Sequence, residues 1–387
     1  MVDILNYDQL KKDVQRRIKN VQSMMKRENV EVLIIVGAGA PGSIGALRYI
    51  TNAHLWEGRA FGVLGADDPE PWVEIRSSYQ AEWTRNETTT KKSRVESPQN
   101  LISRTSDLAR DYITSNEEIG FVNLNNLLSV GEYNEFYNRL EGYKLRDVTS
   151  EFNSIRQVKT PFEIEAIERH GELLDRGIDV FRNEAKIGKR YWDVCASVEN
   201  FIKSRGSFWG RTKLSLDVTP FTVPPPKNKK MKENNIINFE IVYESPWGYW
   251  GEITTVFSFH NIPEETKAIL DGYLKSVKSS SPIIEPGSKL ESISDKNDET
   301  FEKLGFSVVG KHTPDCHSTG LDGTDGPDSL KSPNFELKKD MVLCLHPGAL
   351  VEDGKGFLVS DNFLVTPEGG KRLSPHTQDR YYLRIGQ

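Results

Sequence analysis

The sequence predicts two domains in series, an α/β domain followed by an α+β domain, on three observations. The chain has 387 residues, whereas a single hydrophobic core stops growing at roughly 250–300 residues. Short apolar strands alternate with amphipathic helices as far as residue 156. From residue 157 onward, two long helices precede a strand hairpin, two further helices and more strands. We therefore expect domains at residues 1–156 and 157–387.

The first domain opens with an amphipathic helix over residues 7–28, because its apolar residues recur at helical spacing. A β-branched apolar run at residues 30–36 predicts a buried strand, and a Gly- and Pro-rich loop follows at residues 37–45. Further strands are predicted at residues 47–51, 61–64, 72–75 and 119–122, and further helices at residues 101–112 and 130–140.

The second domain has a different order of elements. Gly206 and Gly305 each follow an apolar-periodic segment and are typical of helix ends. Helices are predicted at residues 163–184, 191–205, 264–280 and 290–304, and strands at residues 236–243, 252–259, 308–309, 341–345 and 357–365.

Composition excludes several classes of protein. Hydrophobic residues make up 37% of the chain and charged residues 27%, which is typical of a soluble globular protein. The net charge of −6 offers no basic face for nucleic acid. The longest apolar run is far too short to span a bilayer, and the N-terminus lacks the order of a signal peptide. Three widely spaced cysteines do not form a disulfide framework, so we expect a cytoplasmic protein with neither nucleic-acid nor membrane partners.

Six segments of the sequence resemble, in the same order, the motifs of one protein superfamily. Residues 248–257 (GYWGEITTVF) resemble a GYxSDxTRTF segment, and residues 154–164 resemble an LRxIKSxxEI entry into the second domain. The other segments are residues 47–52, 317–327, 340–348 and 360–369. The chain thus resembles the creatinase, aminopeptidase P and prolidase superfamily, and the resemblance covers almost the whole chain. It implies an α/β creatinase-type N-terminal domain and an α+β C-terminal domain with the pita-bread fold.

The resemblance also implies a metal site. Metal-dependent members hold two divalent ions with two Asp, one His and two Glu, a set that suits ions such as Mn²⁺, and the ions activate a bridging water. Only His317 keeps its family identity, and the family's second histidine, which contacts substrate, matches Thr324. The five ligand positions correspond here to Ile241, Glu252, His317, His346 and Ser360.

Other side chains stand close to these positions. Glu240 precedes the first of them and Asp361 follows the last. Because alternate residues of a strand face opposite sides, we expect Glu240 to reach the site only if the hairpin carries a one-residue bulge. Cys344 and His346 share a strand face, so Cys344 lines the cavity if His346 points into it.

Three interpretations of the site remain open. In the first, the site is metal-free, as in creatinase, and the acid or base is a histidine that titrates near neutrality. Residues 58–62 favour this interpretation because they resemble the GRKYG segment of creatinase. That resemblance implies that Arg59 binds a substrate carboxylate across the interface of a homodimer, since a planar guanidinium suits a carboxylate.

In the second interpretation, the site holds one divalent transition metal, either Zn, Fe or Mn. Glu252, His317 and His346 form a sound ligand set for Zn²⁺ or Fe²⁺, and Glu240 or Asp361 completes it. In the third interpretation, catalysis is lost and the domain binds a peptide or protein.

The main hypothesis is a hydrolase-like enzyme that cleaves a C–N or related bond in a small polar metabolite. It is metal-free or has a single rewritten metal site, and His317, His346 and Glu252 are its catalytic residues. An Xaa-Pro aminopeptidase or prolidase-type metallopeptidase is the enzymatic alternative, although the loss of carboxylate ligands argues against a two-ion peptidase. A non-catalytic binding module is the other alternative. Substrate contacts are assigned to Arg59, Thr324, Asp325 and Tyr249.

Overall fold

The structure is a computed structural model that describes residues 6–114, 118–216, 223–306, 314–347, 356–374 and 381–386. Its internal contacts divide the chain into two compact units, one reaching Gln157 and the other beginning at Val158. The boundary predicted after residue 156 lies one residue from this division. No helix in these ranges is both long enough and apolar enough to cross a membrane.

The N-terminal unit is built on a six-stranded mixed sheet. Its strands are β1 (Val32–Ala38), β2 (Arg59–Gly65), β3 (Trp72–Ile75), β4 (Val95–Glu96), β5 (Glu118–Val122) and β6 (Lys144–Asp147). Its helices are α1 (Tyr7–Arg27), α2 (Gly45–Thr51), α3 (Ser78–Glu87), α4 (Leu101–Asp111), α5 (Leu124–Leu127), α6 (Val130–Arg139) and α7 (Thr149–Arg156), with a 3-10 turn at Lys92–Arg94. The strand order is β4-β3-β2-β1-β5-β6, with β1 antiparallel to β2 and parallel to β5. Helices pack against β1, so its apolar residues are buried, as its continuous apolar run predicts.

One predicted element of this unit is wrong, and five observed elements, α3, α5, α7, β4 and β6, were not predicted. Residues 47–51 were expected to form a strand, but they belong to helix α2. All of α2 is buried, so its apolar side chains show no periodicity that separates a helix from a strand. The helix ends at Asn52, which adopts a left-handed conformation with φ of 54° and donates its backbone N–H to the carbonyl of Arg48.

The C-terminal unit contains two four-stranded sheets. Its helices are α8 (Pro161–Glu184), α9 (Tyr191–Lys203), α10 (Glu264–Ser280) and α11 (Leu290–Lys303), with a 3-10 turn at Ser281–Ile283. Its strands are β7 (Gly210–Leu216), β8 (Ile236–Glu244), β9 (Trp250–Ser258), β10 (Cys316–Ser318), β11 (Val342–Leu345), β12 (Asp361–Thr366), β13 (Gly369–Arg372) and β14 (Tyr382–Arg384). The sheets have the orders β14-β9-β8-β7 and β10-β11-β12-β13. The strand predicted at residues 308–309 lies outside the described residues.

Helices cover one face of each sheet in this unit. Apolar residues of α8 and α9 pack on the sheet that contains β8 and β9, and those of α10 and α11 pack on the sheet that contains β11 and β12. The two sheets meet where β9 contacts β12, and there the Thr254 and Ser360 hydroxyls lie 2.6 Å apart. This order of helices and sheets confirms the predicted fold class of an α/β unit followed by an α+β unit.

The register of the β8–β9 hairpin decides which side chains face away from the helices. The two strands pair without interruption along their full lengths, with Val242 opposite Glu252. Ile241 packs into the core beneath α8 and α9. Glu240 and Glu252 therefore share the other face. The expectation that Glu240 needs a bulge to reach this face is wrong, because an unbroken pairing already puts it there.

Candidate active site

Four side chains with metal-ligating atoms converge on the helix-free faces of the two sheets. Glu252 comes from β9, His317 from β10 and Cys344 from β11, and His346 follows β11 directly. His317 and Cys344 are paired across the antiparallel β10–β11 ladder, and Cys344 and His346 lie two residues apart on one strand face. One ligand atom from each of the four residues lies within 4.8 Å of the other three. We call these four residues the ligand cluster.

Glu252 lies at the centre of the ligand cluster. Its Oε1 atom is 2.7 Å from Nε2 of His346 and 3.3 Å from Nε2 of His317. The Cys344 thiol donates a hydrogen bond of 2.7 Å to the same oxygen. The two Nε2 atoms are 3.1 Å apart, and the imidazole rings are stacked with centroids 5.2 Å apart. One carboxylate oxygen thus contacts both imidazoles and the thiol.

Burial and charge shift the pKa values of this cluster, in opposite directions at Glu252 and His317 but in the same direction at Cys344. Burial raises the pKa of Glu252, but the neighbouring His346 and His317 outweigh burial and hold it well below its ordinary value. Burial lowers the pKa of His317, but the hydrogen bond to Glu252 and the charge of Glu252, together with the Ser318 carbonyl, outweigh burial and raise the pKa overall. Burial and the charge of Glu252 raise the pKa of the Cys344 thiol well above its ordinary value. Without an ion, a carboxylate beside a protonated thiol is therefore the favoured state.

The cluster opens into a cavity of about 640 Å³. Glu240 lines this cavity and forms an ion pair of 2.5 Å with Lys213, which stands opposite it on β7. Burial and the charge of Glu252 raise the pKa of Glu240 despite this pair. Thr324, assigned to substrate contact, also lines the cavity. Among the described residues, the lining consists of Lys213, Val223, Pro224, Glu240, Glu252, Pro314, His317, Thr324, Asp328, Leu330, Lys331, His346 and Leu358.

The structure does not bring Asp361 into the ligand cluster. Its carboxylate is fully buried and forms an ion pair with Arg372 of β13. It also accepts a hydrogen bond of 2.8 Å from the backbone N–H of Asn362. Asp361 is therefore held as part of a buried pair, and this corrects the expectation that it completes a metal site.

Three residues assigned to substrate contact are engaged elsewhere. Asp325 forms a buried ion pair of 2.9 Å with Lys159, and the Tyr249 hydroxyl lies 3.3 Å from the Glu163 carboxylate as a hydrogen-bond donor. Neither belongs to the cavity lining that the structure describes. Arg59, in the N-terminal unit, donates two hydrogen bonds of 3.1 Å to Glu132. Its contact with substrate across a homodimer interface stays a prediction.

The residues present do not fit the two-ion centre that the resemblance implies. Ile241, at the first Asp position, is fully buried in the core beneath α8 and α9. The Ser360 hydroxyl, at the second Glu position, pairs with the Thr254 hydroxyl. His346 replaces the remaining Glu. We therefore derive no reaction step through two ions.

Cys344 and Lys213 are among the site residues that sequence reasoning did not assign. Cys344 shares a strand face with His346, which indicated that it lines the cavity, but its place among possible ligands depends on the β10–β11 register. Lys213 reaches the cavity because β7 pairs it with Glu240, and β7 was not predicted. A strand of mixed polarity gives a weak signal in sequence.

Comparison with known proteins assigns the family. Residues 17–158 match the model of the creatinase/prolidase N-terminal domain, and residues 165–367, more than half of the chain, match that of metallopeptidase family M24. An uncharacterized peptidase of Staphylococcus saprophyticus is 24% identical over 237 residues, which are 59% of this chain and 65% of that protein. The chain thus spans slightly less than two thirds of the length of that relative.

Two archaeal proteins extend the comparison. The Xaa-Pro dipeptidase of Pyrococcus furiosus is 25% identical over 254 residues, or 62% of this chain and 71% of that protein. The solved structure of the prolidase from Pyrococcus horikoshii matches with a TM-score of 0.77 and 17% identity, covering 93% of this chain and 98% of that one. Structural similarity at 17% sequence identity supports only the fold, whereas the match to the family model assigns the family. The chain belongs to metallopeptidase family M24.

Proposed function

We propose that this chain hydrolyses the peptide bond before proline in short peptides, in the manner of an Xaa-Pro dipeptidase. The observation that carries the proposal is the M24 match, which spans the strands that hold Glu252, His317 and His346 at the cavity. The similar protein of Pyrococcus furiosus is named an Xaa-Pro dipeptidase. This proposal replaces our main hypothesis of a creatinase-like, metal-free enzyme, which the comparisons do not support.

The cavity suits a short peptide with two charged ends. Its volume of about 640 Å³ lies within the usual range for small-molecule sites. Lys213 and Lys331 bring ammonium groups to the lining, and Glu240 and Asp328 bring carboxylates. These groups form two ion pairs, Lys213 with Glu240 at 2.5 Å and the solvent-exposed Lys331 with Asp328 at 3.3 Å. A dipeptide carries one charge of each sign at its termini, so each terminus meets an oppositely charged member of these pairs and competes with its present partner.

The ligand cluster offers groups for proton transfer. Peptide hydrolysis adds water to the carbonyl carbon and delivers a proton to the leaving nitrogen as the C–N bond breaks. Glu252 stays ionised because His346 and His317 lower its pKa, so it orients the water by accepting a hydrogen bond. His317, whose pKa is raised by Glu252, carries the proton to the proline nitrogen. His346, 2.7 Å from Glu252, fixes the position of the carboxylate.

Dipeptide turnover tests this proposal. Ala-Pro, Ala-Ala and Pro-Ala are incubated with the purified full chain, with and without added Zn²⁺, Mn²⁺ or Co²⁺, and released amino acids are quantified. We expect proline release from Ala-Pro to be fastest. Glu252→Gln should lower kcat/KM by about 10²–10⁴-fold, whereas Glu299→Gln, on the exposed face of α11, should not change it.

Two outcomes would contradict the proposal. One is the absence of turnover of any dipeptide under every metal condition. The other is equal turnover of Ala-Pro by wild type and Glu252→Gln. Tight binding of uncleaved peptide to the wild type would instead support the non-catalytic interpretation.

A further inference from the structure

We propose that Glu252, His317, Cys344 and His346 form a binding site for a single zinc ion, with the Cys344 thiolate as one of the four ligands. This site differs from the family's two-ion centre in ligand chemistry and in the number of ions. It also goes beyond the proposed peptidase activity. An ion held by all four residues would occupy the Glu252 and His317 atoms that move protons in that reaction, so the zinc-loaded chain should not cleave dipeptides, and zinc binding is measured without turnover.

Two of the four distances measured within the cluster are close to those that zinc requires, and the other two are shorter. A tetrahedral zinc ion with bonds of about 2.0 Å to nitrogen and about 2.3 Å to sulfur separates two nitrogen ligands by about 3.3 Å and nitrogen from sulfur by about 3.6 Å. The two Nε2 atoms are 3.1 Å apart, and His317 Nε2 is 3.3 Å from Glu252 Oε1. The thiol and His346 approach the carboxylate more closely, at 2.7 Å each. Modest separation of these groups makes room for the ion.

The orientation of His317 favours coordination. Its Nδ1 atom lies 3.2 Å from the carbonyl oxygen of Ser318. A proton on Nδ1 satisfies this carbonyl and leaves the lone pair of Nε2 directed at the cluster. A metal-binding histidine commonly donates its other nitrogen to a carbonyl in this way.

The charges around the cluster balance one divalent ion. Cys344 loses its proton on coordination, so it and Glu252 together supply two negative charges. Glu240 has its own cation in Lys213, and Asp361 has its own in Arg372. A buried charge is costly unless it is paired, and one dication pairs both charges of the cluster.

The donor atoms select the metal. A thiolate and two imidazoles are soft or borderline ligands and prefer zinc, whereas Mn²⁺ and Mg²⁺ prefer oxygen ligands. The position that holds a family carboxylate holds His346 here, and Cys344 on the same strand face adds a sulfur. The chemistry of the donors has thus shifted away from manganese.

Zinc titration of the full chain, without a histidine tag and after chelator treatment, tests the site. We expect one equivalent of Zn²⁺ to bind, and Mn²⁺ to compete poorly. Cys344→Ser should weaken zinc binding by more than about 100-fold, since loss of an outer contact alone costs about 10–100-fold. Cys316→Ser is the matched control. Cys316 lies on the neighbouring strand β10 and points into the hydrophobic core, so this variant should leave zinc affinity unchanged.

Co²⁺ provides a spectroscopic test of the sulfur ligand. The wild type and Cys316→Ser should show a thiolate-to-cobalt charge-transfer band, and Cys344→Ser should lack it. In the wild type, Zn²⁺ should also protect Cys344 from alkylation, as measured by mass spectrometry, which avoids any variant that fails to fold. Absence of saturable zinc binding, or alkylation of Cys344 at an equal rate with and without Zn²⁺, would overturn the proposal. Dipeptide turnover enters none of these readouts, so failure of the peptidase proposal leaves them unaffected.

Discussion

Replacing Arg372 with Met tests whether Asp361 belongs to a buried ion pair rather than to the metal site. Asp361 is fully buried, and the Arg372 side chain retains 10% of its exposure. Removing one partner of a buried pair typically costs about 3–5 kcal/mol, because the other charge remains buried alone. In the variant, Asp361 still accepts the 2.8 Å hydrogen bond from the backbone N–H of Asn362. We therefore expect Arg372→Met to lower the free energy of unfolding by about 3 kcal/mol, near the low end of that range.

The assay is equilibrium urea unfolding at several pH values. Burial raises the pKa of Asp361 and Arg372 opposes this, so the variant raises that pKa further. When the folded-state pKa of a carboxyl group is raised, the free energy of unfolding of the protein falls as pH rises through that pKa. The deficit of Arg372→Met should therefore be smallest at acidic pH and grow as pH rises.

Two further variants distinguish a buried ion pair from an exposed one and from a metal site. Lys371→Met removes the adjacent, exposed partner of Glu168 and should cost less than about 1 kcal/mol. Combining Asp361→Asn with Arg372→Met should restore stability relative to Arg372→Met alone, because no buried charge remains. If Arg372→Met is as stable as Lys371→Met, or if Asp361→Asn weakens zinc binding as strongly as Cys344→Ser, then Asp361 does not have the role assigned here.

Three further predictions concern stability. Burial and the charge of Glu96 raise the pKa of fully buried Glu74 from 4.5 to about 7. The free energy of unfolding of the wild type should therefore fall by about 2–3 kcal/mol between about pH 5 and about pH 8. Glu74→Gln should remove this pH dependence in urea unfolding, and an unchanged pH slope would contradict the prediction. Lys213→Met removes the cation beside Glu240, whose pKa is already raised by burial. The loss of Tm caused by Lys213→Met should therefore grow from about pH 5 to about pH 8, whereas the exposed control Lys227→Met should show no such trend. A loss of Tm that does not change with pH would contradict the electrostatic coupling between Lys213 and Glu240. Thr160→Ala removes the side chain that accepts the Glu163 N–H at the start of α8 and should cost about 1 kcal/mol in the same unfolding assay, whereas no loss would mean that the cap is redundant.

Elements with strong local signals could be predicted from sequence. Helix α8 begins at a Thr-Pro pair with Glu163 completing a capping box, and its predicted range of residues 163–184 is nearly that observed. Helix α2 was mistaken for a strand because a short buried apolar segment has no distinguishing period. The strands β13 and β14 were missed because they are short and partly polar, and β7 was missed because its seven residues mix polar and apolar side chains.

The candidate site shows a sharper limit. His317 and Glu252 follow from motif positions alone, but the location of Glu240 depends on how β8 pairs with β9. Counting residues from Glu252 suggested that Glu240 faces the wrong side. The observed register puts Val242 opposite Glu252 and thereby turns Glu240 toward the cavity. Register is a long-range property, and a shift of one residue exchanges the two faces of a strand.

The charges at the site argue for one ion rather than two. The family's centre has four carboxylates around two dications, whereas this ligand cluster has one carboxylate and one ionisable thiol. The adjacent acids Glu240 and Asp361 are already neutralised by Lys213 and Arg372. A second dication would therefore leave two positive charges without partners in a buried site, and an unpaired buried charge is strongly unfavourable. The proposal of a single zinc ion is therefore supported by the charge balance as well as by the ligand geometry.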